Sequence, residues 1–282
     1  MNQLFREALL KADDVRSELG LNIYEPINVF DACSKLGVTV RFVEINMEGL
    51  YIKHDGGNSP TILLSNQRPL PRRCFTCAHE LGHHVFNHGF KIDGLSDSNV
   101  EGSNDSDELL VDSFAGALLM PVAGIQAELA KRRWKLNEIS PLNFYTICSV
   151  FGVGYRTLLT HCKVNKLISE IGAGNLLKAS PKSIFSQTFG DSIQTSYFKI
   201  VDGQSKINLV DLEVSNHIVL PVNTVVEGNH IEFIANTSIG AGFRAVRPGI
   251  ARAVMPSGKA TFIRVQSLAY SGLAENRHLE II

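Results

Sequence analysis

The sequence predicts an α+β chain, and two observations carry that reading. Residues 1–170 alternate helical periodicity with two or three short strand-like runs, whereas residues 190–282 read as strands broken by Gly, Asn and Pro turns. With 282 residues, 44% of them apolar and 20% charged, the composition is ordinary for a globular protein and suffices for two or three cores. A net charge of −1 argues against a surface built throughout to grip nucleic acid or anionic lipid, although it leaves room for a local basic patch. The N-terminal stretch MNQLFREALLKADDVRSELG scatters charges among its apolar positions, so it reads neither as a signal peptide nor as an anchor, and no later apolar run is expected to span a membrane. The five cysteines, Cys33, Cys74, Cys77, Cys148 and Cys162, are an odd number in a long chain without an export signal. Reduced thiols and a cytoplasmic location are expected.

In chain order, Leu4 to Leu19 and Ile27 to Leu36 carry apolar residues at helical spacing, and GVTVRFVEI then reads as a strand. Two alternating runs, Tyr51 to His54 and Thr61 to Leu64, flank Asp55-Gly56-Gly57-Asn58, which predicts a hairpin. The next segment, RRCFTCAHELGHHVFNHG, contains His79-Glu80-Leu81-Gly82-His83, an HExxH pattern on a predicted helix. Positions i and i+4 lie about 40° apart around an α-helix, so both imidazoles can reach one metal ion. Glu80 between them can take a proton from a water that zinc has acidified to a pKa of about 7, a division of labour that amounts to metal-assisted hydrolysis.

Composition alone produces this pattern in roughly one or two of every hundred chains of this size, so a third ligand is needed to give it meaning. The metzincin extension is excluded, because it requires Gly at 86 and His at 89 where this chain has Phe86 and Gly89. On a continuing helix His88 would lie about 180° from His79, and His84 about 100° from His83, so both read as surface or packing residues. The stretch SNDSDELLVDSFAGALLMP is the better source. Ser103 to Ser106 offer caps, Leu110, Phe114 and Leu118 follow at helical spacing, and Pro121 ends the run. Glu108 and Asp112 share a face, so that Glu108 can complete a two-His, one-Glu site while Asp112 accepts the outward N–H of a liganding histidine. Cys74-Phe75-Thr76-Cys77 has no second CxxC to complete a four-Cys site and reads as packed, reduced cysteine.

These residues resemble the ImmA/IrrE metallopeptidases, cytoplasmic zinc proteases of bacteria and their mobile elements. RRCFTCAHELGHHVFNHG is similar to that family's RrFTlAHELGHyllH stretch, and ELLVDSFAGALLMP to its ExxxAnxFAxxLLMP stretch; PINVFDACSKLGVTV and EGLYIKHDGG look like its lead-in helix and strand. The motifs span about 30 to 165. The resemblance implies a zincin-like fold, zinc ligands His79, His83 and Glu108, Glu80 as general base, and a helix-turn-helix transcriptional repressor as the protein substrate. Zinc is the expected metal, with another divalent ion such as manganese as the alternative. Cys74 and Cys77 stand where the family more often has Arg or an apolar residue, and Val111 replaces a small Ala; neither departure removes a ligand.

Downstream, SPLNFYTICSVFGVGYRTLLTHCKVNKLI has the shape of a helix-turn-helix, capped by Ser140-Pro141 and broken at Gly152. Arg156, His161 and Lys163, with KRRWK at 131–135, could touch DNA. The favoured reading is instead a helical subdomain that supports the peptidase or docks the repressor, because the second helix has few base-reading side chains. The last third predicts a partly closed antiparallel sheet of five to seven strands, either a regulatory or sensor-like module or a structural cap. The expected division is therefore a zinc metallopeptidase domain at 1–121, a helical subdomain at 122–170 and a β-rich domain at 171–282. The rival function is a DNA-binding or repressor-sequestering regulator with a structural zinc site.

Overall fold

A computed structural model describes residues 3–53, 59–88, 106–191, 195 and 197–279. By its contacts the chain forms two compact units, Met1–Gly124 with Tyr270–Asn276, and Ile125–Ala269 with Arg277–Ile282. The first begins with helices α1 (Gln3–Glu18) and α2 (Val29–Lys35), as the periodicity predicts, followed by strand β1 (Thr39–Val43). Asn28 caps α2 by accepting from the Asp31 N–H. Strands β2 (Gly49–Ile52) and β3 (Thr61–Ser65) pair antiparallel in the register Tyr51↔Ile62, while β1 runs parallel to β3. The predicted turn Asp55–Asn58 and His54 lie outside the described residues. A short strand from late in the chain, Gly272–Leu273, adds antiparallel to the free side of β1, giving the order 272–273, β1, β3, β2.

Alternation in these strands buries Val40, Phe42, Tyr51, Ile62 and Leu64. Two further helices complete the unit, α3 (Leu70–Val85) and α4 (Ser106–Leu119). α3 packs on β2 and β3, α4 on α3, and α1 on α4, so the metal-type residues sit where two buried helices cross. Of the predicted capping cluster only Ser106 is among the described residues, and it opens α4.

Helix α5 (Val122–Lys131) leads from the first unit into the second. Taken together, Ser106–Lys131 is long and apolar enough to cross a membrane by length and composition, contrary to expectation. It is interrupted at Met120–Pro121, and 61% of its most apolar window is buried within the protein, as in a core helix. Its first half reads as core because Leu110, Val111, Phe114 and Leu118 face α1 and α3.

The second unit continues with α6 (Pro141–Phe151) and α7 (Tyr155–Val164), the predicted helix-turn-helix pair. Ser140 caps α6 by accepting from the Asn143 N–H, and Gly152 ends it at φ +67°. Helices α8 (Glu170–Leu177) and α9 (Pro181–Phe189) follow, each opened by a serine that accepts from the backbone three residues on, Ser169 and Ser180. Strands β4 (Phe198–Ile200), β5 (Leu209–Glu213), β6 (His217–Leu220), β7 (Val225–Glu227), β8 (Ile231–Thr237), β9 (Gly240–Ala245), β10 (Gly249–Val254) and β11 (Ala260–Gln266) complete it. They form two four-stranded sheets, β5-β11-β10-β7 and β4-β6-β9-β8, and each contains one parallel pair, β5 with β11 and β4 with β6. This corrects the single antiparallel sheet expected from the sequence. Alternation identifies strands but does not report which distant strand each one joins.

Candidate metal centre

The centre is built on α3 and α4. Pro71 presets the first turn of α3, and the helix then carries Ala78, His79, Glu80, Leu81, Gly82 and His83 into the interior. His79 is 7% exposed, Glu80 1% and His83 2%, so all three predicted HExxH residues are buried, the two histidines about one turn apart. Gly82 is required by the neighbouring helix. A Cβ there would lie 2.9 Å from Val111 Cβ and 3.2 Å from Phe114 Cδ1, so only glycine lets α4 approach this closely. That approach brings Glu108 to the histidines.

His79 Nε2 lies 3.3 Å from His83 Nε2 and 3.2 Å from Glu108 Oε2, and His83 Nε2 lies 3.6 Å from Glu108 Oε1. Zinc held tetrahedrally at its usual 2.0–2.1 Å from nitrogen and oxygen donors requires donors about 3.3 Å apart. Two imidazoles and a carboxylate at these separations thus fit the ion in chemistry and in spacing, and the three donors form a group with all ligand atoms within 4.8 Å of one another. Asp112, one turn beyond Glu108, receives His79 Nδ1 at 2.8 Å. With the Nδ1 hydrogen directed to the carboxylate, the Nε2 lone pair faces the centre.

His84 packs, as expected, with its Nδ1 2.9 Å from the Tyr51 hydroxyl; burial lowers its pKa, with Lys53 adding to the effect. His88 does not behave as expected. The helix stops at Val85, and Asn87 adopts φ +57°, so the His88 N–H bonds the His83 carbonyl at 2.9 Å and the Asn87 N–H bonds His84 at 3.1 Å. This Schellman arrangement curls the chain back. It brings His88 Nδ1 to 3.0 Å from His83 Nδ1, a contact that the straight-helix extrapolation could not anticipate.

Sequence reasoning also missed Arg16. It is 1% exposed on α1 and donates to the Leu118 carbonyl at 2.6 Å, in the last turn of α4, as well as to Asn22 and Glu25 carbonyls of the loop beyond α1. A guanidinium at a helix C-terminus satisfies open carbonyls and complements the dipole, so Arg16 ties down the helix that presents Glu108 and Asp112. Its only sequence signal is a charge on the same face as Ala8, Ala12 and Val15.

The cysteines fit the packed reading. All five are free, and the Cys77 Sγ sits 3.7 Å from Cys33 Sγ beneath α3; burial first, and then Cys33, push the Cys77 thiol well up. A groove of about 340 Å³ opens beside the end of α3 between Lys11, Asp14, Glu18 and His84, but no residue of the metal-type group lines it.

In the second unit much of the basic run 131–135 is neutralised locally. Lys131 pairs with Glu128, Arg132 with Glu128 at 2.6 Å and Asp202 at 2.8 Å, and Lys135 with Glu138 at 3.4 Å. Arg156 is exposed, and Lys163 lies 3.1 Å from Glu170.

Buried HExxH histidines joined by a carboxylate from the next helix are the arrangement of a metallopeptidase domain. Residues 33–163 match the IrrE N-terminal-like domain of peptidase family M78, and over that span the chain is similar to the ImmA/IrrE peptidases. The match supports a zincin-like fold and a metallopeptidase for this segment. No curated protein matches the chain.

Proposed function

We propose that the protein is a cytoplasmic zinc-dependent endopeptidase that hydrolyses a peptide bond in a helix-turn-helix transcriptional repressor, as part of a stress-response or mobile-element switch. The observation that carries the chemistry is the set of donor separations, 3.2, 3.3 and 3.6 Å, among His79, His83 and Glu108. These three residues would hold the metal. Zinc, or another divalent ion such as manganese, supplies a Lewis acid for an attacking water and a scissile carbonyl. Glu80 acts as the general base that takes the proton of the water and returns it to the leaving amine. Asp112 keeps His79 in its liganding tautomer through the 2.8 Å contact. The repressor as substrate rests on the family resemblance.

Strand β2 stands at the edge of its sheet, in the strand pair that precedes the active-site helix in the chain, and is proposed to bind an extended substrate by strand addition. The helix pair α6–α7 is assigned to supporting the peptidase or docking the repressor. The β-rich part is assigned a regulatory, sensor-like role.

The test uses purified protein, zinc-loaded, incubated with a candidate helix-turn-helix repressor from the same genome, with the repressor's mass read afterwards. Two fragments from the wild type, and an intact repressor from a Glu80→Gln variant that still retains zinc, are expected. Cleavage by Glu80→Gln would sink the mechanism. Ile52→Pro should slow cleavage at least several-fold by blocking the end of the edge strand; unchanged cleavage counts against strand addition. The rival reading, a DNA-binding or sequestering regulator, is favoured instead if the repressor stays whole while bound, or if the protein shifts DNA with a steep salt dependence that is lost in Arg156→Ala.

A further inference from the structure

The outer nitrogens of the two histidines are engaged differently, and the difference assigns a task to His88. His79 Nδ1 meets a carboxylate, Asp112, at 2.8 Å. His83 Nδ1 meets the Nδ1 of another imidazole, His88, at 3.0 Å, with ring centres 5.2 Å apart. Two like nitrogens share one hydrogen, so one ring must donate and the other accept. His83 can offer its Nε2 lone pair to a metal only when its hydrogen is on Nδ1. His88 must then accept at Nδ1 and carry its own hydrogen on Nε2, the atom that lies 3.9 Å from Asp107 Oδ1.

We propose that His88 is a positioning residue for His83, fixing that ring's tautomer and orientation toward Glu108 by accepting its Nδ1 hydrogen. The proposal rests on the reading of His83 as a metal ligand. The left-handed Asn87 makes the contact, because the two Schellman hydrogen bonds at the end of α3 turn His88 back over the residue five positions earlier. Asp107 precedes Glu108 on α4, so the same first turn of that helix faces both the inner and the outer atoms of this ligand pair. His88 touches no reacting atom in this scheme; it acts through His83.

Chelator competition for zinc on the full-length chain measures the effect. Removing an outer partner of a metal-bound histidine ordinarily costs 10- to 100-fold in affinity, and a loss of about that size is expected for His88→Ala. In His88→Asn the side-chain oxygen occupies the place of Nδ1 and accepts equally, so affinity should return to within about threefold of wild type. Asn87→Val, which disfavours the left-handed turn, should mimic His88→Ala, whereas Asn87→Gly should bind as wild type does. A second readout needs no metal: nitrogen-15 NMR of the zinc-free protein should show His83 protonated at Nδ1 in the wild type and shifted toward the Nε2–H form in His88→Ala.

Unchanged affinity in His88→Ala, failure of His88→Asn to recover it, or a wild-type His83 protonated at Nε2 would each overturn the proposal. If the wild type binds no zinc, the metal reading itself falls. The tautomer measurement then still decides whether His88 controls His83.

Discussion

Each unit holds a half-buried carboxylate among nitrogen groups, and the two clusters differ in what the nitrogens are. In the first unit Glu108 faces the ring nitrogens of His79 and His83. In the second, Asp211 on β5 faces two guanidiniums, Arg264 at 2.5 Å and Arg277 at 3.1 Å, the first placed by the parallel register Arg264↔Asp211. Burial pushes the Asp211 carboxyl up, but Arg277 and Arg264 more than reverse that and hold it well below the usual carboxylate range. A carboxylate between two guanidiniums has its charge answered from within the chain. One beside two imidazoles with inward lone pairs is instead suited to a cation from outside. Depth of burial therefore does not distinguish a scaffold from a site, whereas the type of donor does.

The sharpest way to break this contrast is Asp211→Ala. Leaving two guanidiniums buried without their acid should cost about 3–5 kcal/mol in a urea titration, with zinc stoichiometry unchanged. A variant that lost its zinc along with its stability would erase the distinction between the clusters. The same cluster predicts acid sensitivity. Because the folded carboxyl sits below its unfolded value of about 3.9, its contribution is complete above that pH and is lost as the pH falls further. Asp211→Ala should flatten that part of the stability profile.

A smaller effect, felt in the first unit alone, is expected from Gly82→Ala. The added methyl meets Val111 at 2.9 Å and forces α3 and α4 apart, at about 1–3 kcal/mol. Since α4 carries Glu108, zinc affinity measured by chelator competition should fall several-fold as well. Adding Val111→Ala should recover part of that affinity by making room. No recovery would mean that the close approach of the two helices does not set the position of Glu108.

Much of the candidate site could be read from the sequence because helical geometry turns spacing into position. His79, His83, Glu108 and Asp112 needed only the rule that residues four apart share a face, together with the end of α4 at Pro121. His88 was misplaced because the same rule was carried past Val85, beyond the end of the helix. Its signal was Asn87, a residue that tolerates the left-handed C′ position. Helices α8 and α9 have their own start signals, Ser169 at the end of the stretch assigned to the helical subdomain and Ser180-Pro181 inside that assigned to the β-rich part. The two-sheet arrangement had none, since β5 finds β11 across more than fifty residues and alternation is the same for either partner. Arg16 shows the converse, a charged residue whose role is set by where another helix happens to end.

The strand at Gly272–Leu273 and the residues around it give the peptidase unit a late dependence on synthesis. Its sheet lacks an edge until Tyr270–Asn276 has left the ribosome, by which time nearly the whole second unit has been made. Until then β1 presents an open row of backbone groups, and Phe42, which afterwards meets Tyr270 edge-on at 6.2 Å, lacks that aromatic neighbour. A nascent or truncated chain that stops short of this segment holds the HELGH helix on an unfinished sheet. The chain thus ties the completion of its first unit to the synthesis of a segment that follows more than a hundred residues of the second.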